Sequence, residues 1–192
     1  MQLILYRHGE IMLPSCEKRF IGKTDYPLSP KGQLQMQNSA LAYHAFIPRI
    51  YCSSALRSIQ SAEIFADTIQ TISGKRPEIQ MIPQLSEIDM GLWENRTFQD
   101  IRETFPLEFQ ARGNNLANYR VPKGETFLEV QTRAIKAIQT IAETEKSEAL
   151  IITHLGVIRT LRCYFLHLPL SELMNWKTGY GQPVIFDFPP VP

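Results

Sequence analysis

Five short segments of the chain carry the pattern of strands, and stretches of helical period separate most of them. Leu3 to Tyr6 is a continuous apolar run, as expected of a strand buried on both faces, and polarity then reverses at Arg7-His8. Arg49 to Ser53, Glu78 to Pro83, Glu148 to Thr153 and Val184 to Phe188 give four further strands, of which Glu148 to Thr153 is the most apolar and again ends on a histidine, His154. Ser29-Pro30 supplies an N-cap followed by proline at the first helical position. This predicts a helix from Pro30 to about His44, with Leu34, Leu41 and Phe46 on its apolar face. A second helix is expected from Ala55 to about Ile72, burying Ala62, Phe65, Ile69 and Ile72, and a third from Thr126 to Glu143, burying Val130, Ala134, Ile138 and Ile141. A fourth runs from about Val157 to Leu168.

Two stretches break the alternation. Residues 11–30 contain Pro14, Gly22, Pro27 and Pro30 among polar residues and read as a long ordered loop, a kind of segment that is usually functional. Between Trp93 and Gly124, Pro106 and Pro122 interrupt short helical stretches, which predicts a helical excursion at about 93–124 over the sheet edge. The expected architecture is α/β: a three-layer α/β/α sandwich with a mostly parallel central sheet, formed by residues 1–192 as a single domain. In such sheets ligands sit beyond the carboxyl ends of the strands, so both strand-terminal histidines would face the ligand side.

Composition narrows the partners. With 20 Lys and Arg against 19 Asp and Glu, nothing favours nucleic acid or an anionic membrane surface, and any anion site must be local. Cys16, Cys52 and Cys163 are odd in number and lack a CxxC, so neither a disulfide framework nor zinc is expected. No leader pattern precedes the first strand and no apolar run approaches a membrane span, which together predict a cytoplasmic protein. Four histidines without metal-site spacing suggest no metal, and no cofactor motif is present.

The candidate chemistry lies at the strand ends. Arg7 and His8 follow one strand, Arg57 follows another, and Glu87 and His154 come from later segments. Taken singly, each has an ordinary structural explanation as a capped strand end, a solvated helix charge or a satisfied core histidine. Converged, two guanidiniums and an imidazole form a site for a dianion such as a phosphoryl group. A second imidazole there can attack phosphorus, since neighbouring arginines disfavour its protonated form, and a carboxyl group such as Glu87 can protonate the leaving oxygen.

LYRHGE at the first strand resembles the signature of the histidine phosphatase superfamily, in its phosphoglycerate mutase-like branch. The likeness continues through RFIGKTDYPLSPKG at 19–32, CSSALRSIQSA at 52–62, LSEIDMGLWENRT at 85–97, PKGETFLEVQTR at 122–133 and ITHLGVIRTL at 152–161. The resemblance implies that His8 becomes phosphorylated, that Arg7, Arg57 and His154 hold the phosphoryl group, and that Glu87 is the general acid and later base. It also implies that Gly22 and Thr24 belong to a loop closing on the phosphate. Pro14 stands where many members carry a phosphate-contacting Asn, Leu155 where Gly commonly follows the second histidine, and Asn95 where Gly is frequent. Asn tolerates left-handed backbone.

Within the family the IGKTDYPLS loop and PKGETF are similar to α-ribazole phosphatases, which remove a 5′-phosphate late in cobalamin assembly. A small-molecule phosphate ester would be the partner, with oligomeric state left open. Three other functions fit fewer of these features: a broad-specificity sugar-phosphate or phosphoserine phosphatase, a phosphoglycerate mutase, and a non-catalytic phosphate-binding protein. The short excursion disfavours the mutase, and the presence of every expected catalytic group disfavours the binding protein.

Overall fold

The computed structural model describes residues 1–43 and 45–189. Five strands, β1 (Gln2–Arg7), β2 (Arg49–Cys52), β3 (Glu78–Met81), β4 (Glu148–Thr153) and β5 (Pro183–Asp187), form one sheet in the order β3-β2-β4-β1-β5. The first four are mutually parallel and β5 closes one edge antiparallel to β1. Two helices, α1 (Pro30–Tyr43) and α2 (Leu56–Ser73), cover one face; α3 (Phe98–Thr104) and α4 (Pro106–Asn114) form the excursion; α5 (Phe127–Thr144) and α6 (Leu155–Phe165) cover the other face. No helix among the described residues is long and apolar enough to cross a membrane.

The continuous apolar runs of β1 and β4 follow from this layering. Leu3, Leu5, Ala149 and Ile151 pack with α5 and α6, whereas Ile4, Tyr6, Leu150 and Ile152 pack with α1 and α2. Successive side chains point to opposite faces, and both faces are dry, so no position can be polar until the strand ends. The α5 helix begins with a capping box, in which the Thr126 side chain and the Glu129 backbone, and the Glu129 side chain and the Thr126 backbone, satisfy each other.

Some expected faces are corrected. In α1 the buried positions are Gly32, Met36, Ser39 and Ala40, while Leu34, Leu41 and Phe46 are exposed; His44, the expected helix end, lies outside the described residues. The reason is proximity: α1 starts against the segment that leaves β1, and a Cβ at Gly9 or at Gly32 would strike the backbone of the opposing segment. Only a glycine fits at that crossing, Met36, Ser39 and Ala40 complete the inner face, and the leucines fall on a flank that faces α2 across a groove. Ile72, expected inside, is likewise exposed on that groove, although Ala62, Phe65 and Ile69 are buried. The last expected helix begins two residues earlier than Val157 and ends at Phe165.

A Gly32→Ala substitution is expected to lower stability by about 1–3 kcal/mol, because its methyl group must displace the Glu10 carbonyl. Urea unfolding checks this, and an unchanged midpoint would mean that the two segments separate freely.

Candidate active site at the strand ends

The register of β1 and β4 pairs Arg7 with Thr153, so His8 and His154 leave the sheet side by side, and the His8 N–H donates to the Thr153 carbonyl at 3.0 Å. Their rings lie edge to face with centroids 5.1 Å apart. Both residues are buried. The His8 Nδ1 is 2.7 Å from the Gly9 carbonyl, which can only accept, so Nδ1 carries the proton and Nε2 keeps its lone pair. Burial, then the charges of Arg57 and Arg7, hold His8 well below the usual histidine range. His154 is depressed in the same way, by burial and then by Arg57 and its neighbour His8.

The cationic groups are held without neutralisation. Arg57, on the first turn of α2 and 1% exposed, donates to the carbonyls of Gly22 at 2.7 Å and Thr24 at 2.9 Å, and Asp25 approaches only to 3.9 Å. Arg7 places its guanidinium carbon 3.7 Å from the centre of the Tyr180 ring, and burial lowers its pKa. The Nε of Arg7 and the Nδ1 of His154 are buried without a partner. The Nε of Arg19, on the same cavity, likewise meets no acceptor among the described residues, and buried polar atoms of this kind are costly unless a partner meets them.

Glu87 stands on the same wall. Its carboxylate accepts the N–H of Ile88 at 2.9 Å and of Gly156 at 3.0 Å, and a Cβ at Gly156 would strike the carboxylate, which explains glycine there. Arg133, paired with Glu125, donates to the Glu87 carbonyl at 3.1 Å and fixes this segment from behind. Arg7, His8, Arg57 and Glu87 thus line one cavity of about 300 Å³, and His154 is buried beside His8 rather than exposed on the wall.

Gly22 and Thr24 are not brought onto the cavity wall. The N–H groups of residues 22–24 donate to the Glu94 carboxylate, and the loop presents its carbonyls to Arg57 instead. The two residues reach the site through Arg57. Asn95 does adopt the left-handed conformation, with φ of 60°. Sequence reasoning passed over Tyr180, Glu94, Ser53 and Arg112. Glu94 and Ser53 fall inside quoted motif blocks, but Tyr180 and Arg112 carry no local signal.

Beyond the polar floor the cavity is apolar and aromatic, with Phe20 stacked on Phe98 at 4.1 Å. Arg112 lies between the rings of Phe20 and Phe127, at 5.5 and 5.8 Å. Burial pushes its pKa down to about 10, and it makes no hydrogen bond or ion pair to the described residues. Also among the described residues, no three His, Cys, Asp or Glu side chains are grouped as a metal site requires.

Residues 3–190 match the sequence model of the histidine phosphatase superfamily, branch 1. The chain is 28% identical over 89% of its length to an Arabidopsis thaliana 6-phosphofructo-2-kinase/fructose-2,6-bisphosphatase, and it spans only 22% of that protein. Among solved structures, Bacillus stearothermophilus YhfR is similar at 32% identity with a TM-score of 0.81, covering 96% of this chain and 89% of that one. The α-ribazole phosphatase from Shigella flexneri superposes with a TM-score of 0.82 at 24% identity, over 97% and 90% of the two chains, a likeness of fold.

Two neutral, buried histidines make folding sensitive to acid. The unfolded chain takes up protons at both as pH falls below about 6.5, while the folded protein does not, so their contribution is complete above that pH and declines below it. The expected loss is up to about 3 kcal/mol per pH unit for the pair. Urea titrations from about pH 7.5 to 5 on the wild type and on a His8→Asn, His154→Asn double variant test it. Equal slopes for the two proteins would refute the neutral pair.

Proposed function

The chain belongs to the histidine phosphatase superfamily, and on that premise we propose that it is a phosphomonoesterase acting through a phosphohistidine on His8, with α-ribazole 5′-phosphate as its substrate. The observation that carries the first part is the bare Nε2 of His8, held unprotonated on a cavity wall between two arginines that lack carboxylate partners of their own at close range. A dianionic phosphoryl group entering there meets the Arg7 and Arg57 guanidiniums, and in this reading it settles deep enough to reach the Nδ1 of His154, buried beside His8. Nε2 bonds to phosphorus as the ester P–O bond breaks, and Glu87, which enters this step in its acid form, gives its proton to the departing oxygen and is left as the carboxylate, a step worth about 100-fold to 10,000-fold. Water then attacks phosphorus, Glu87 takes its proton, and the P–N bond breaks to regenerate His8. The arginines stabilise charge on the three equatorial oxygens throughout.

In this reading no metal takes part, residues 1–192 act as one catalytic domain, and residues 93–124 serve as its cap. Three free cysteines suit a cytoplasmic setting. The substrate assignment rests on the motif likeness to α-ribazole phosphatases and on the aromatic walls of Phe20, Phe98 and Phe127, which suit a flat, apolar leaving half.

The chelator-treated protein is expected to release phosphate from p-nitrophenyl phosphate and α-ribazole 5′-phosphate, and His8→Ala to lose at least about 1,000-fold. Full turnover by His8→Ala would reject the nucleophile.

One observation favours a second reading, a broad-specificity sugar-phosphate or phosphoserine phosphatase. The unpaired guanidinium of Arg112 on the cavity wall suits a leaving half that carries a further anion. Arg112→Met separates the two. It should raise KM about 10-fold or more for esters with a second anionic group and leave an uncharged leaving half nearly unaffected. The reverse preference would remove the second reading.

A further inference from the structure

Ser53 stands at the end of β2 and is wholly buried, with its hydroxyl 2.6 Å from the Nε2 of His154. The same oxygen accepts the Ala55 N–H at 3.4 Å. Only two arrangements of protons are open to this pair. If His154 carried its proton on Nε2, Ser53 would receive two N–H donors, its own O–H would lack an acceptor, and Nδ1 would be a bare lone pair with no partner. Two buried polar groups would then be unsatisfied. If Ser53 instead donates to Nε2, every group but one is satisfied, and the remaining one is an N–H on Nδ1.

We propose that Ser53 is a positioning residue that fixes His154 as the Nδ1–H tautomer, so that this ring donates a hydrogen bond to the bound phosphoryl group. The inference rests on the phosphoryl-transfer reading above for its ligand, but not for the tautomer. It separates the two histidines chemically. Both carry their proton on Nδ1, yet His8 spends its N–H on the Gly9 carbonyl and presents the lone pair of Nε2, whereas His154 spends its Nε2 lone pair on Ser53 and presents the N–H. One ring is made a nucleophile and its neighbour a donor by which backbone or side chain each one meets.

The test uses the full chain labelled with ¹⁵N-histidine, at about pH 7.5, where unperturbed histidines are neutral. Long-range proton–nitrogen correlation should show His154 protonated on Nδ1 and bare on Nε2 in the resting protein. Ser53→Ala should give mixed tautomers and weaken binding of inorganic phosphate about 10-fold or more, with Ser53→Cys, a weaker donor of similar volume, in between. Three results would overturn the proposal: a wild-type His154 protonated on Nε2, or an unmixed Nδ1–H tautomer in the Ala variant, or phosphate affinity in that variant within about twofold of wild type. Should the Ala variant not fold, the wild-type spectrum and the Cys variant decide. Because the spectrum is read without substrate, absence of turnover in a protein showing the expected tautomer would count against the phosphatase reading alone.

Discussion

The charges of Arg7 and Arg57 act on two buried imidazoles, and Glu87 is the sole carboxylate among the described residues that line the cavity of Arg7, His8 and Arg57. Concentrating positive charge in a dry place is expensive, and the ways in which the protein absorbs that expense determine most of the site. The first consequence falls on the histidines, which are held neutral, so that His8 keeps a free lone pair on Nε2. The second concerns how each arginine is held. Carbonyl oxygens support Arg57 and the face of an aromatic ring supports Arg7. Both partners satisfy donors or attract the cation without cancelling its charge. A close carboxylate would bind more strongly but would also compete with any incoming anion.

Support for Arg57 is itself layered. A loop can offer two carbonyls to one guanidinium only if its N–H groups are turned away and satisfied elsewhere, and the Glu94 carboxylate takes three of them together with the Thr24 hydroxyl. Glu94 thus lies outside the cavity yet governs the orientation of a group inside it. Arg133 plays a comparable part for Glu87, gripping its backbone while the side chain faces the other way to meet Gly156. The two supports are joined directly, because Glu94 also accepts the N–H of Met90 at 3.2 Å and Lys23 pairs with Asp89.

How much of this could be read from the chain depends on how local each cause is. β1 and β4 announce themselves because a strand covered on both faces must be apolar throughout, so the histidines that end them are conspicuous. The convergence of Arg7, His8 and Arg57 follows once β1, β2 and β4 are taken as parallel. The inner face of α1 was misjudged because close approach of two backbones, at Gly9 and Gly32, overrides the ordinary preference for burying leucine. Gly22 and Thr24 are tied to the phosphate only by the resemblance of their loop to one in the family, and the sequence of the loop does not show where its N–H groups turn. Glu94, some 70 residues away in sequence, closes them. Tyr180 and Arg112 act only through tertiary neighbours, and no periodicity or spacing marks such residues.

The parts of the site differ in origin, and this bears on what each can reveal. The transfer groups come from the ends of β1 and β4, from the start of α2 and from the Glu87 segment, all anchored by sheet register or by buried hydrogen bonds. The walls come from the loop after β1 and from α3 and α4, through Phe20, Phe98 and Arg112. A shared sheet therefore holds the strand-end groups in place and leaves the outer walls free to vary, so likeness of fold extends to the first and not to the second. Arg112 sharpens that division. A guanidinium kept among aromatic rings without an anion bears a desolvation cost that nothing in the transfer chemistry requires. The rings of Phe20 and Phe127 offset part of that cost, and this offset owes nothing to the groups at the strand ends.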